Sequence, residues 1–278
     1  MTATRSLATE AVTVGYEDRV VVDGLTLRIP AGRISVIVGA NACGKSTLLR
    51  AMARLLPTKS GSVLLDGRSI AEQPTREVAK ILGLLPQTPV APDGIAVADL
   101  VARGRYPHRS FLRPWTTADE AAVTEALRMT DVLDLADRSV DELSGGQRQR
   151  VWIAMALAQG TDVLLLDEPT TFLDVAHQIE VLDLLTDLNR ERGTTIVMVL
   201  HDLNLAARYA DELFAVRDGR LHSHGAPADV VTADAVREVF GMEARIVPDP
   251  VSGTPLVLPI GRHHSGPVER ACEGQREE

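Results

Sequence analysis

Apolar positions along this chain change their period twice. Alternating stretches come first, "EAVTVGY", "LTLRIP" and "RISVIV", followed by a helical "KSTLLRAMARLL" and by "GSVLLDG", a strand that runs into an Asp-Gly turn. From about Pro89 to Gln159 the strand signals fade and helical segments take over: "VADLVARGR", "TADEAAVTEALRMTDVLDLA" and "QRQRVWIAMALAQ". Strand and helix then alternate through "DVLLLDEP", "VAHQIEVLDLLTDLNRER", "TTIVMVL", "HDLNLAARYA" and "ELFAVRDGRL", the order of a parallel sheet covered on both faces. Ile179, Leu182, Leu185 and Leu188 recur at three-residue spacing, which makes that helix mainly a packing element. The pattern predicts a mixed β opening around a strand, loop and helix, then an inserted helical lobe, then a return to the first body.

Length and composition narrow this picture. The 278 residues suffice for one domain, or a domain with a lobe. With 45% hydrophobic and 24% charged residues the chain is of globular type. Its apolar runs are too short to span a bilayer, and "MTATRSLATE" lacks the apolar centre of a signal peptide, so a cytosolic protein is expected. Cys43 and Cys272 lie far apart without metal-ligand spacing, as a reducing compartment allows. A net charge of -9 argues against a broad nucleic-acid footprint. The tail after Ser265 is polar enough to be disordered.

Lysine occurs only at Lys45, Lys59 and Lys80, so a lysine inside a glycine loop is not background charge. Gly39, Gly44, Lys45 and Ser46 fit G-x-x-x-x-G-K-[ST] between a buried strand and a helix start. Backbone N–H groups of Gly39, Ala40, Asn41, Ala42, Cys43, Gly44, Lys45, Ser46 and Thr47 can then encircle phosphate oxygens. Lys45 points a charge at the β/γ-phosphates, and Ser46 offers a hydroxyl to Mg²⁺. Downstream, "VLLLDEP" carries Asp167 to a strand end, where a metal-linked carboxylate belongs, with Glu168 beside it to orient or deprotonate water. Ala42 is expected in a right-handed or extended conformation, since a left-handed alanine costs about 1 kcal/mol relative to glycine.

"LSGGQRQR", Leu143 to Arg150, opens a second helix with a serine and two glycines, a second phosphate-binding N-terminus in one chain. Standing alone it would be an ordinary serine cap. The series of P-loop, "LLPQ" with Gln87, "LSGGQ", "LLLDEP", "LD" at Asp174 and a strand-end His201 resembles the ABC transporter ATP-binding subunit over nearly residues 5 to 245. The resemblance implies an α/β fold, a P-loop NTPase core of ABC type, with an N-terminal antiparallel β subdomain and a helical subdomain. Residues 5–88 and 160–245 would flank the lobe at about 89–159, with 246–278 as a C-terminal extension.

It also implies cofactors and partners: ATP with Mg²⁺, and a head-to-tail homodimer with ATP at the interface. Ser144, Gly145, Gly146 and Gln147 of one subunit would press on the γ-phosphate held by Lys45 of the other. Tyr16 would stack on adenine, Gln87 would reach Mg²⁺ and the attacking water, Asp174 would contact the partner's P-loop, and His201 would hold the γ-phosphate. Glu168 would be the catalytic base, and Ser46, Gln87 and Asp167 the metal set. The sequence departs from the family at Phe172, where a small residue is usual.

A chain of this kind docks, through the helical lobe and the Gln87 loop, on integral membrane permease subunits at the inner face of the cell membrane. "VARGRYPHRSFLRPWTTADEAAV" with "GANACGKST", "DEPTTFLDVAHQIEVL" and "HDLNLAARYAD" resembles the importers of iron-siderophore chelates, with heme and cobalamin importers as relatives. A siderophore-binding protein would be an indirect partner. Arg103, Arg105, His108, Arg109 and Arg113 form a cationic patch that can meet an acidic partner loop or anionic headgroups. A nucleic-acid site competes for the same patch, given Tyr106, Phe111 and Trp115, but the overall acidity opposes it. His222/His224 and His263/His264 come without ligand-spaced cysteines or carboxylates and read as loop histidines. A soluble ABC ATPase that remodels nucleic acid or protein lacks its usual tandem cassette here. A nucleotide switch without turnover has no need of Glu168.

Overall fold

In the computed structural model, residues 5–109, 114–171 and 173–263 are described. Phe172, Phe111, Arg113, His264, Cys272 and the tail after Ser265 lie outside them.

The chain opens with β1 (Leu7–Tyr16), β2 (Arg19–Ile29) and β3 (Ile34–Val38), then α1 (Lys45–Met52), β4 (Ser60–Leu65) and β5 (Arg68–Ser69). α2 (Thr75–Ile81) runs straight into β6 (Leu82–Leu85). The helical segment supplies α3 (Val97–Ala102), α4 (Thr117–Met129) and α5 (Gly145–Ala158). Then follow β7 (Val163–Asp167), α6 (Val175–Arg192), β8 (Thr195–Val199), α7 (Leu203–Tyr209), β9 (Glu212–Arg217) and β10 (Arg220–Gly225). The last elements are α8 (Pro227–Val230), α9 (Ala233–Phe240), β11 (Ala244–Pro248) and β12 (Pro255–Pro259).

Two sheets carry the architecture. β2-β1-β4-β5 form an antiparallel sheet, and β10-β9-β3-β8-β7-β6 a second one, parallel except for the β10 edge. β3, β7 and β8 are buried at every position, which is why they read as continuous apolar runs and not as alternation. Their side chains nevertheless divide by parity. Val36, Leu166 and Met198 join the core under the helices, with Trp152 and Leu182. Ile37, Leu165 and Val197 join the core under the antiparallel sheet, with Leu48, Met52 and Phe214. The helical segment thus shares one core with the parallel sheet.

Three features depart from the pattern reading. "AKILGLLPQ" is one uninterrupted apolar run, yet it switches from helix to strand at Leu82. Gly83 allows this, because a Cβ there would stand 2.9 Å from the Thr161 hydroxyl. "TADEAAVTEALRMTDVLDLA" stops being an α-helix at Met129, before Asp131 turns left-handed at φ 53°. Finally, β11 runs across residue 245, where the extension was expected to begin, and pairs with β12 as a hairpin.

Two residues of the cationic patch are tied up inside the lobe. Arg105 Nε donates to Asp119 Oδ1 at 3.0 Å and its Nη1 to the Ala158 carbonyl at 2.8 Å, while His108 Nε2 lies 2.7 Å from the Gln159 carbonyl. Hydrogen bonds from the Thr116 hydroxyl and then Arg105 hold the Asp119 carboxyl down at about 2. Arg109 stacks over Trp115, 5.6 Å from the ring centroid. Two members of the proposed patch therefore brace the lobe instead of facing a partner.

Candidate nucleotide site

Parallel strands bring their carboxyl ends to one edge, and loops there can converge although their sequences are far apart. β3 delivers the glycine loop, β7 delivers Asp167 and Glu168, β8 delivers His201, and β6 delivers Gln87. The helix α1 starts at Lys45, with Gly44 left-handed at φ 104° in front of it. Gly39 is fixed by contact: a Cβ there would meet the Val216 carbonyl oxygen at 2.2 Å.

The glycine loop wraps its own lysine. Buried Lys45 donates from Nζ to the carbonyls of Gly39 and Ala40, both at 2.9 Å. Ala42 overturns the expectation placed on it, for its φ is 61°, in the left-handed region. The chain must reverse there within a few residues, so that the Cys43 N–H reaches the Ala40 carbonyl at 3.4 Å and α1 can begin. The lysine bonds and this turn over-determine a conformation that costs an alanine about 1–2 kcal/mol. Burial pushes the Cys43 thiol up, against the opposing pull of Lys45, which favours the neutral thiol. Asn41 is exposed; Thr47 is buried in the first turn of α1.

Asp167 and Glu168 have different surroundings. Ser46 Oγ donates to Asp167 Oδ1 at 2.7 Å, but the buried Oδ2 has no hydrogen-bond partner, and Arg50 Nε stands 4.0 Å away. Burial raises the Asp167 carboxyl above its ordinary range, with Ser46 and Arg50 opposing. A buried, half-satisfied carboxylate beside a serine hydroxyl is the hard-oxygen donor set that suits Mg²⁺. Glu168, by contrast, is fully held. Its Oε2 accepts from Gln87 Nε2 at 2.6 Å and from Thr171 Oγ1 at 3.0 Å, and its Oε1 lies 2.6 Å from His201 Nε2. Glu168 itself is left-handed, φ 54°, a strained backbone of the sort found where a side chain must be aimed.

Around this centre, exposed Tyr16 ends β1, and its hydroxyl accepts from Arg50 Nη1 at 3.5 Å. Pattern reasoning does not reach Arg50 or Thr171. Arg50 lies four residues past Ser46, one helical turn on the same face, and that spacing was the available signal. A cleft of 520 Å³ opens beside Gly39, Ala40, Asn41 and His201, bounded by Phe240 and Met242.

The second glycine turn is built differently. Ser144 Oγ accepts from the Gln147 N–H at 3.2 Å and Gln147 Oε1 from the Ser144 N–H at 3.1 Å, a reciprocal capping box at the start of α5. Ser144 and Gly145 are exposed, and nothing lies within 4 Å of a Cβ built on Gly145. Among the described residues, no hydrogen bond or ion pair joins Ser144–Gln147 to Gly39–Thr47. Asp174 caps α6, accepting from the His177 N–H at 3.0 Å, and is exposed as well. The structure thus assembles Lys45, Ser46, Gln87, Asp167, Glu168 and His201 in one place, and displays Ser144, Gly145 and Asp174 on the surface, with Gly146 half-buried behind them.

His222 Nε2 lies 2.8 Å from Glu238 Oε2, and His224 Nδ1 lies 3.2 Å from Glu212 Oε1. Among the described residues, each histidine thus has a single carboxylate for a partner.

Comparison with known proteins gives the same direction. The sequence profile described as ABC transporter matches residues 22–171. The chain is 56% identical over 257 residues to the probable siderophore transport system ATP-binding protein YusV of Bacillus subtilis, covering 92% of this chain and 94% of that one. It is 52% identical over 253 residues to the ferric enterobactin transport ATP-binding protein FepC of Escherichia coli, covering 91% and 93%. Among solved structures it resembles cbiO1 of Clostridium perfringens, part of the ABC transporter complex cbiONQ, with TM-score 0.74, 29% identity, and coverage of 85% and 94%. It also resembles the dimeric bacterial ABC transporter cassette MJ0796, with TM-score 0.70, 28% identity, and coverage of 79% and 98%.

Proposed function

This chain belongs to the ABC transporter family and is an ABC-type ATPase, and from that premise we propose that it powers import of an iron-siderophore complex through a separate membrane permease. The observation that carries the chemistry is the bracketing of Glu168 by Gln87, Thr171 and His201 beside a P-loop lysine. Support for the cargo comes from relatives whose names state siderophore or ferric enterobactin transport, at over half identity across more than nine-tenths of the chain.

In this reading the loop N–H groups and Lys45 bind the β- and γ-phosphates, with Lys45 leaving the Gly39 and Ala40 carbonyls to do so. Adenine stacks on Tyr16. Ser46 and Asp167, with Gln87, would hold Mg²⁺, which supplies charge neutralisation at the phosphates when bound. Glu168 takes the proton of the attacking water as the bond from the γ-phosphorus to the ADP oxygen breaks. Gln87, Thr171 and His201 fix the carboxylate's aim.

Ser144–Gln147 and Asp174 serve the partner's nucleotide in a head-to-tail homodimer. Support comes from the exposure of Ser144, Gly145 and Asp174 and, among the described residues, from the lack of bonds between this turn and the P-loop in the same subunit. ABC cassettes dimerise and work with permease components in import systems. Among the described residues no helix is long and apolar enough to cross a membrane, and this subunit docks on the permease at the inner face of the cell membrane. The docking face is the lobe around Arg103, Tyr106, Arg109 and Trp115, where a cleft of 580 Å³ is lined by exposed Tyr106, Arg109 and Trp115 and by half-buried Arg103, with Asp99 and Glu120 beside them. A siderophore-binding protein delivers cargo to the permease on the other side.

The test is genetic and biochemical together. Deleting the gene should abolish ferric-siderophore uptake under iron limitation, and the wild-type chain but not Lys45→Ala should restore it. Unchanged uptake in a strain without a paralogue would refute the cargo assignment; unchanged ATP affinity in Lys45→Ala would refute the site.

A further inference from the structure

His177 is absorbed by no step described so far, yet it touches both surface features assigned to the partner's nucleotide. Its Nδ1 lies 2.7 Å from Asp174 Oδ1, and its ring packs against the second signature glycine so closely that a Cβ on Gly146 would stand 3.1 Å from His177 Cδ2. An ordinary cap at this position needs only the backbone N–H, which Asp174 already accepts at 3.0 Å. The imidazole adds a second bond to the same oxygen and a wall behind the glycine turn.

Two further ties run in parallel. Arg150 Nη2 on α5 pairs with Glu180 Oε2 on α6 at 3.0 Å, and Gln149 Nε2 donates to the Pro169 carbonyl at 2.7 Å. The starts of α5 and α6 are therefore joined along one flank, with His177 nearest the exposed end.

We propose that His177 is a positioning residue: it locks the Ser144–Gly146 turn and Asp174 into one block, so that both reach the partner subunit's nucleotide already in register. The proposal rests on the head-to-tail dimer reading and deepens it. A preassembled surface is not charged the ordering entropy of two separate loops when the dimer closes, so its loss weakens closure and leaves nucleotide binding to the monomer untouched. It also gives a reason within the same subunit for glycine at 146, since a Cβ there would sit tightly against the ring.

ATP-driven dimerisation is measured by analytical ultracentrifugation in a Glu168→Gln background, where turnover does not dissipate the closed state. ATP affinity of dilute monomer is measured alongside. Adding His177→Ala should weaken dimerisation about tenfold or more, the effect of one charge-assisted hydrogen bond, with monomer ATP affinity unchanged. His177→Asn, which keeps an N–H donor near the Nδ1 position, should recover most of it, whereas His177→Phe, which keeps only the ring, should not. Dimerisation unchanged in His177→Ala, or equally weak in His177→Asn, overturns the proposal. If Glu168→Gln with His177 intact does not dimerise with ATP, the dimer reading itself fails and takes the proposal with it.

Discussion

His201 Nε2 and Glu168 Oε1 stand 2.6 Å apart, although the two residues are 33 positions apart in sequence and a helix lies between their strands. The imidazole nitrogen is in ion-pair contact with the carboxylate, so His201 is directed at Glu168. The resemblance assigns it to the γ-phosphate. In this arrangement its close contact is with Glu168, while the ring itself remains on the exposed side of the cleft.

Replacing Glu168 by Gln should lower kcat about 10²-fold or more while ATP still binds, because the amide keeps the shape and loses the proton acceptor. His201→Ala should lower kcat less steeply, since Gln87 and Thr171 still hold the carboxylate's other oxygen. Steady-state phosphate release with an independent ATP-binding titration checks both. Glu168→Gln turning over at the wild-type rate would remove it as the base.

Asp167 links function to a cost in stability. Burial raises its carboxyl, so the folded chain holds that proton more tightly than the unfolded chain does. Its contribution is fully favourable below the unfolded value and is lost as pH rises through the raised folded value, which leaves at neutral pH a buried carboxylate whose Oδ2 has no hydrogen bond. Asp167→Asn should therefore raise Tm at pH 7 without nucleotide or Mg²⁺, by a margin that narrows toward about pH 4. The same variant should lose Mg²⁺-dependent hydrolysis. A lower Tm at pH 7 would contradict the orphaned state of Oδ2.

Ala42→Gly relieves a left-handed alanine at the expense of a more flexible unfolded chain. The net gain is about 0.5–1 kcal/mol, or about 1–3 °C in Tm, read by thermal unfolding. A fall in Tm would show that the side chain makes contacts worth more than the strain.

The C-terminal hairpin is anchored to the helix that follows His201. Arg208 Nη2 on α7 lies 2.6 Å from Asp249 Oδ2, and the Val251 N–H and Ser252 hydroxyl also donate to that carboxylate. Arg208 first, then these donors, hold the Asp249 carboxyl well below its ordinary range. The stability it contributes is present above the unfolded value and lost as pH falls toward the folded one. Asp249→Asn should thus be less stable than wild type at pH 7, with the gap closing below about pH 4. A gap independent of pH would mean that the ion pair is not its source.

The sequence by itself determined the parts whose physics is local. G-x-x-x-x-G-K-[ST] needs only a strand, a turn and a helix start; the buried runs of β3, β7 and β8 announce a sheet covered on both faces; and "LSGGQ" carries its capping box in four adjacent residues. Tertiary structure decided what depends on distant chain meeting at one sheet edge. It chose helix then strand within "AKILGLLPQ" by docking β6 on β7, and it accepted a left-handed Ala42 because Lys45 ties the loop from inside. It turned Arg105 and His108 from a presumed docking patch into braces, and it placed His177 between Asp174 and Gly146. Local propensity is a matter of tenths to about 1 kcal/mol per residue and leaves its mark on neighbouring letters. Buried contacts between residues a hundred positions apart outweigh it, and their partners are known only once the chain has folded.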